Sequence, residues 1–367
     1  MKVLFAGGGT GGHVTPALAI FEAMKKEYKN ADAAFIGRSG GDENRAITGA
    51  GYKLYTLDVM GFRRAVSLKN AEAAFKLIRA MRDAKRILSD FSPDVVIGTG
   101  GYVCYPVLVQ AARRGIPTFI HESNAYPGLV TRLLARKCTC VMLGSEACEA
   151  RLPKKARSVY VGNPVRESYC ALSRTGIRKQ LGIRANEILI VSFGGSGGAK
   201  KINDAVVQMM KRYCMLEPKI KHIHASGTRY YEELERGEPE LCCGTRGCRI
   251  VPYIENMPQL LTAADISITR SGAMTLAEIS ATQSTPIMIP SPNVTDDHQY
   301  HNAKAFCDKG YGVVIKEDEL SPERLIGEVS ELVRNARKRR CGSDIKEFAH
   351  PSRAARRILD TISGFVR

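Results

Sequence analysis

The chain has 367 residues and no tryptophan, a length that suits two domains at roughly 100–200 residues each. Hydrophobic residues at 44% and charged residues at 25% exclude a disordered chain, a collagen-like one and a small disulfide scaffold. Basic residues exceed acidic ones by 54 − 37 = +17, of which 24 − 13 = +11 falls in residues 1–160, so a basic face suits nucleic acid, anionic lipid or a phosphorylated substrate without choosing among them.

No apolar run approaches the roughly 18 residues of a spanning helix. The opening MKVLFA is too short for a signal-peptide core and reads as a first strand, so the chain is expected to stay in the cytoplasm. Short Val/Ile/Phe-rich runs then alternate with amphipathic segments, the pattern of βα units on a parallel sheet. In chain order, strands are expected at 2–6, 33–36, 54–57, 95–97, 118–120, 140–143 and 158–161. A second set follows at 188–193, 220–224, 249–251, 266–268, 286–289 and 312–315. The clearest helices lie at 16–28, 68–88, 200–212 and 274–281. Cys138 and Cys140 read as alternating residues of one strand.

VLFAGGGTGGH at 3–13 and IVSFGGSGGAK at 190–200 both read strand, glycine loop, helix. Such a loop lets backbone N–H groups reach an anion, and the helix behind it adds about half a positive charge. Two α/β units, each opening with a phosphate-grade loop, explain the repeat, with a boundary near 162–166. Gly7, Gly9 and Gly12 fit the dinucleotide fingerprint, but the second strand ends in Gly37 and Arg38, where a ribose-binding acid belongs. Ser196 lies in the middle of the second loop as a side-chain donor.

Further clusters follow other strands: GTGGY at 98–102, HESNAYPG at 121–128, TRSGAMTLAE at 269–278 and DDHQYHN at 296–302. Loops at the carboxyl ends of parallel strands are where α/β sheets bind ligands. His121 reads equally as a core histidine. Ser271 or Thr275 is positioned to cap the helix of the third cluster, and Glu278 can accept two ribose hydroxyls or compensate the helix dipole. Asp296 and Asp297 fit a cap onto the next helix better than a metal site. Eleven cysteines fit a reducing compartment. Cys242, Cys243 and Cys248, with His222 and His224 upstream, match no usual zinc spacing and read as free thiols.

Together these pieces resemble the MurG family of UDP-N-acetylglucosamine transferases. The match is carried by GGTGGHVTP at 8–16, GGY at 100–102, HESN at 121–124, GNPVR at 162–166, GGSGGA at 194–199, RSGAMT at 270–275 with Glu278, and DHQYHNA at 297–303, in family order. The resemblance implies a GT-B fold: α/β, two Rossmann-like parallel-sheet domains facing across a cleft. It places a lipid-acceptor domain at 1–163, a UDP-GlcNAc domain at 164–349 and a C-terminal helix at 350–367 packing back on the first. The implied reaction moves GlcNAc from UDP-GlcNAc to the MurNAc 4-hydroxyl of lipid I with inversion, forming lipid II.

By matching motif, Ser196 and Arg166 would serve the donor diphosphate and the backbone at Ile254 would meet uracil. Ala273, Met274 and Thr275 would line diphosphate and ribose, and Glu278 would bind the ribose. Gln299 and Asn124 would hold GlcNAc hydroxyls, and Thr10, Gly11 and Gly12 would face acceptor phosphates. His13 is the candidate base, or an orienter of an acceptor phosphate, and Glu122 is the weaker candidate. No metal or other cofactor is required, a divalent cation being at most stimulatory. Two positions depart from the family pattern: Gly197 and Ser123 each stand where the family has Gln.

The acceptor is membrane-bound, so the implied location is the cytoplasmic face of the cell membrane, with peripheral attachment to an anionic surface. Residues 62–88 hold eight basic and two acidic side chains with Phe75, Leu77, Ile78 and Met81 interleaved, which reads as a membrane face or as a solvated helix over the sheet. Other cell-wall synthesis proteins are candidate partners. Nucleic acid is not expected, because this segment lacks an aromatic stacking platform. The nearest rivals are another GT-B lipid glycosyltransferase and a nucleotide-sugar epimerase of similar architecture; a UDP-sugar sensor would need only Glu278 and the second loop, and an NADP oxidoreductase would leave the second half unexplained.

Overall fold

The computed structural model describes residues 1–41, 44–61, 68–335 and 351–365. Two compact units divide the chain, the first comprising Met1–Arg166 with Pro351–Arg367 and the second Glu167–His350. The first continues past 163 to Arg166, which pairs with Glu22 at 2.9 Å, while Asn163 donates to the Ser123 carbonyl at 3.0 Å.

In the first unit the strands are β1 (Lys2–Gly7), β2 (Asp32–Arg38), β3 (Lys53–Leu57), β4 (Val95–Gly100), β5 (Thr118–Glu122), β6 (Cys140–Leu143) and β7 (Ser158–Tyr160). Its helices are α1 (Gly11–Glu27), α2 (Asn44–Gly49), α3 (Leu68–Phe91), α4 (Cys104–Arg113) and α5 (Leu129–Leu134). The parallel sheet runs β3-β2-β1-β4-β5-β6-β7. Alternation along β1 sends Val3 and Phe5 to one core layer and Leu4 and Ala6 to the other. Helices cover both faces, so strand residues are buried on either side. α1 covers the first layer, joined by Ile358, Leu359 and Ile362 of the C-terminal helix (Pro351–Ser363), and α3 and α4 cover the second.

The second unit contains β8 (Ile188–Phe193), β9 (Ile220–Ala225), β10 (Cys248–Val251), β11 (Ile266–Thr269), β12 (Thr285–Met288) and β13 (Val313–Val314). Its helices are α6 (Arg174–Gln180), α7 (Lys200–Arg212), α8 (Thr228–Gly237), α9 (Pro239–Cys243), α10 (Met257–Ala263), α11 (Ala273–Thr282), α12 (His298–Cys307) and α13 (Pro322–Asn335), and we call the C-terminal helix of the first unit α14. The sheet order is β10-β9-β8-β11-β12-β13, again parallel. Ile190 faces the layer under α7 and α13, whereas Leu189 and Val191 face that under α6 and α10.

In each sheet the order reverses beside a central strand: between β1 and β4, and between β8 and β11. Chains leaving such a pair diverge to opposite faces, so a crevice opens at the carboxyl ends. Both long glycine loops leave from these pairs. Cys138 lies outside β6, contrary to the strand reading: its N–H bonds to the Leu134 carbonyl and closes the turn after α5. At Gly37 a Cβ would stand 2.0 Å from Asn44 Oδ1, a side-chain end that can turn aside.

Candidate active site

In the first unit, the loop after β1 and the cluster after β4 interlock through their glycines. Gly100 has φ +122°, and a Cβ on it would stand 2.4 Å from His13 Cδ2. At Gly101, φ is +85° and a Cβ would stand 2.0 Å from the Gly8 carbonyl oxygen. Only glycine permits this approach, and it brings the His13 ring against the 100–101 backbone. His13 Nδ1 lies 2.9 Å from the Gly8 carbonyl and 3.4 Å from Thr10 Oγ1. A carbonyl only accepts, so Nδ1 carries the proton and Nε2 is the basic nitrogen of the neutral ring. Thr99 Oγ1 donates to the His13 carbonyl at 2.7 Å and fixes the first turn of α1. Cys104 Sγ donates to the Ala6 carbonyl at 2.9 Å and the Gly100 carbonyl at 3.1 Å. Burial pushes its thiol up to about 12, so it stays a donor.

Thr10, Gly11 and Gly12 are exposed where α1 begins. A Cβ on Gly11 would meet no heavy atom within 4 Å among the described residues. The fold therefore does not demand glycine there, whereas an anion approaching the helix N-terminus would.

Glu122, the weaker candidate base, is bound into its own loop. It ends β5, is 6% exposed, and accepts from the Asn124 N–H at 3.1 Å, Asn124 Nδ2 at 3.0 Å, the Gly128 N–H at 2.9 Å and Thr131 Oγ1 at 2.6 Å. A carboxylate receiving four donors organises its loop. Asn124 is thereby held half-buried at the end of β5. His121 is a core histidine, with Nε2 3.0 Å from the Gly162 carbonyl.

In the second unit, Ser196 is exposed within the loop between β8 and α7. Gly194 and Gly198 are required by packing, with φ +76° at Gly198, while Gly197 is sterically unconstrained. α11 starts after Gly272, which occupies its N-cap with no side-chain cap bond; neither Ser271 nor Thr275 caps it. Ala273, Met274 and Thr275 thus form a first turn whose N–H groups lack intrahelical partners. Thr275 and Glu278 lie three residues apart on one helix face, both half-buried. Asn302 Nδ2 donates to the Ser271 carbonyl at 3.2 Å and ties α12 to this turn. Arg270 bonds the Ile289 and Pro290 carbonyls, each at 3.2 Å, and pairs with Glu317. Gln299 Oε1 accepts from the Ser291 N–H at 2.9 Å. Ile254 buries its side chain in the α6–α10 layer, which fixes its backbone.

Asp297 occupies the N-cap position of α12 without a side-chain cap bond, and both it and Asp296 are left-handed. Among the described residues no three His, Cys, Asp or Glu side chains converge to hold a metal ion. His222 and His224 turn to Ser192 in the core. Arg166 belongs to the first unit, its Nε held by Glu22. Cys104 was not singled out from sequence, and Thr99 and Asn302 were quoted within clusters without a role; a polar residue between two glycines at a strand end is the signal that marks Thr99.

Residues 3–143 match the glycosyltransferase family 28 N-terminal domain, and residues 189–356 the family 28 C-terminal domain. Relatives described as UDP-N-acetylglucosamine–N-acetylmuramyl-(pentapeptide) pyrophosphoryl-undecaprenol N-acetylglucosamine transferases include one from Thermoanaerobacter sp. (strain X514), 41% identical over 336 residues, covering 91% of this chain and 92% of the relative. Another, from Clostridioides difficile (strain 630), is 38% identical over 335 residues, covering 91% and 81%. Among solved structures, Acinetobacter baumannii MurG superposes with a TM-score of 0.72 at 27% identity, covering 99% of each chain. The glycotransferase of kitacinnamycin superposes at 0.70 with 14% identity, covering 100% of this chain and 99% of that one, a likeness of fold alone.

Proposed function

This chain belongs to glycosyltransferase family 28, with the GT-B fold, and from that premise we propose that it transfers GlcNAc from UDP-GlcNAc to the MurNAc 4-hydroxyl of lipid I, forming lipid II. The observation that carries the reading is the pair of glycine loops, each at the strand-order reversal of its own sheet, one beside a histidine with a basic Nε2 and one opening a helix N-terminus.

The reaction is an in-line displacement. The acceptor oxygen forms a bond to the anomeric carbon as the bond to the UDP oxygen breaks, and its proton passes to His13 Nε2. The hydrogen bond from Nδ1–H to Gly8 stabilises the imidazolium that forms. The departing diphosphate takes the electron pair, and backbone N–H groups at the starts of α7 and α11, with Ser196, stabilise it. Arg166 adds a cation held by Glu22. Glu278 accepts the ribose hydroxyls, the backbone at Ile254 meets uracil, and Gln299 and Asn124 contact the sugar. Thr10, Gly11 and Gly12 receive acceptor phosphate. The step uses no metal, and a divalent cation acts only on free or bound diphosphate; chelation with EDTA is therefore expected to lower transfer no more than severalfold.

Membrane attachment is peripheral in this reading. α4 packs on both α3 and α5, and these helices leave Phe75 at 63%, Ile78 at 55% and Leu133 at 52% exposure. Lys69, Arg79, Arg82, Lys85 and Arg86 are exposed along α3. Leu77 and Met81 are half-buried instead, and Phe62, Arg63 and Arg64 lie outside the described residues. Each basic side chain near anionic lipid contributes about 1 kcal/mol. The surface is expected to bring the enzyme to the cytoplasmic leaflet, where other cell-wall synthesis proteins would meet it.

The test is transfer of labelled GlcNAc to a lipid I analogue. His13→Ala is expected to lower kcat by about 10²–10⁴-fold, and Glu278→Ala to raise KM for UDP-GlcNAc. Binding of UDP-GlcNAc by the wild-type chain without transfer to lipid I would overturn the acceptor assignment and leave the donor assignment standing.

A further inference from the structure

Beneath the second glycine loop lies a buried polar chain that the displacement chemistry does not use. Ser192, His222 and His224 are each 0% exposed, and Asn203 is 2% exposed. Parallel register sets Ser192 beside His224 and Ile190 beside His222, on the sheet face covered by α7. Ser192 Oγ lies 2.7 Å from His222 Nε2 and 2.8 Å from His224 Nδ1. His224 Nε2 lies 3.1 Å from Asn203 Oδ1, and Asn203 Nδ2 donates to the Ser226 carbonyl at 3.0 Å. At the other end, His222 Nδ1 lies 3.6 Å from Cys214 Sγ.

Donor and acceptor capacity fixes one end of this network. Asn203 Nδ2 is committed to a carbonyl, so its Oδ1 faces the histidine and accepts from His224 Nε2–H. His224 Nδ1 faces both the Ser192 hydroxyl at 2.8 Å, which can donate, and the Ser192 carbonyl at 3.2 Å, which only accepts. Ser192 Oγ also meets His222 Nε2, whose ring reaches Cys214 Sγ through Nδ1. Burial favours neutral imidazoles, holding His222 well below its ordinary value and His224 down to about 4.

The chain ends at the loop. A Cβ on Gly198 would stand 2.0 Å from the Ser226 carbonyl oxygen, and one on Gly227 would stand 2.4 Å from the Gly198 nitrogen. The 226–227 turn is thus a backbone seat for the last glycine of the loop. Asn203 sits near the start of α7, where its N–H bonds to the Ala199 carbonyl. One amide side chain joins β9, α7 and the turn beneath Gly198.

We infer that Asn203 and His224 are positioning residues that hold Gly198 and the N-terminus of α7 in the geometry that receives the donor diphosphate. An apolar trio could fill the same core, but it would leave helix and turn free to slide; directional bonds do not. The inference deepens the proposed function and rests on the second loop being the diphosphate site.

The experiment measures UDP binding by calorimetry, transfer kinetics, and amide exchange at 195–199 in the full chain. It compares wild type, Asn203→Ala, His224→Phe and Met210→Ala, the last a buried α7 residue outside the polar chain. Asn203→Ala and His224→Phe are expected to weaken UDP binding about tenfold or more, to raise KM for UDP-GlcNAc in step, and to speed exchange in the loop. Met210→Ala is expected to lose thermal stability while keeping UDP affinity within about twofold. Unchanged affinity and exchange in Asn203→Ala, or an equal loss of affinity in Met210→Ala, overturns the inference. Should His224→Phe fail to fold, Asn203→Ala decides alone. If wild type does not bind UDP, the diphosphate reading fails separately, and amide exchange then decides whether Asn203 holds the loop.

Discussion

Thr99 Oγ1 spans 86 residues of sequence to reach the His13 carbonyl, so its contribution to the proposed base is positional. Thr99→Val keeps the shape, removes that bond and leaves the carbonyl to find another donor. Transfer is expected to fall about tenfold, the effect of one hydrogen bond of roughly 1 kcal/mol or slightly more, with the acid limb of the pH–kcat profile displaced. Thr99→Ser retains the hydroxyl and is expected to restore both. An undisplaced profile in Thr99→Val would assign Thr99 to packing alone. Glu122 makes a contrasting case. Glu122→Gln turns an amide N–H toward one of the four donors now bonded to the carboxylate, so unfolding should become easier by about 1–3 kcal/mol. The shape of the pH–rate profile should not change, as it would if Glu122 were the base.

At the scale of elements, α6 is pinned by one carboxylate. Asp265 receives Arg174 Nη2 at 2.6 Å, Arg178 Nη1 at 2.9 Å and the Leu189 N–H at 2.9 Å. The guanidinium groups also donate to the carbonyls of Thr262, Ala263 and Ala264, which locks α6 to the turn between α10 and β11. Asp265→Asn strands two partly buried cations. It is expected to cost about 2–3 kcal/mol, below the range for a fully buried pair because Arg174 is partly solvated. Denaturant unfolding measures this, and transfer per folded molecule should be retained because Asp265 touches no proposed site residue. Such knots were not legible in the sequence. The strands were, because a strand covered on both faces reads as a near-continuous apolar run, as ILIVSF at 188–193 does. The glycine loops were also legible, since close approach and positive φ at Gly101 and Gly198 admit no other residue. Thr99, Asn203 and Asp265 were hidden for a common reason: each acts on a partner that only sheet register and helix docking bring near. His222 and His224 drew notice only as neighbours of the cysteines for the same reason, since their spacing says nothing about Ser192 on the neighbouring strand.

For the whole molecule, buried histidines couple folding to pH. His121 in the first unit and His222 and His224 in the second are held neutral, chiefly by burial, and all three are shifted below the ordinary histidine value. The unfolded chain binds these protons near pH 6.5, while the folded chain binds them only at lower pH: His121 below its ordinary value, His222 well below it and His224 at about 4. Their contribution to stability is therefore complete above pH 6.5 and declines as acidification proceeds from there toward the folded values. Each histidine contributes a slope of about 1.4 kcal/mol per pH unit. Carboxylates with lowered values, such as Glu187 and Asp90, lose their contribution only near and below pH 4, so the range from 6.5 to 5 isolates the histidines. Two units need not unfold together, which makes proton uptake a better observable than a single midpoint. Unfolding at pH 5.5, followed calorimetrically in buffers of different ionisation enthalpy, is expected to take up about two to three protons more than at pH 8. Asn203→Ala should leave that number unchanged, because burial rather than its amide sets the shift, whereas His224→Gln should lower it by about one. Equal uptake at the two pH values would mean that the imidazoles are charged in the folded chain and that burial does not hold them neutral.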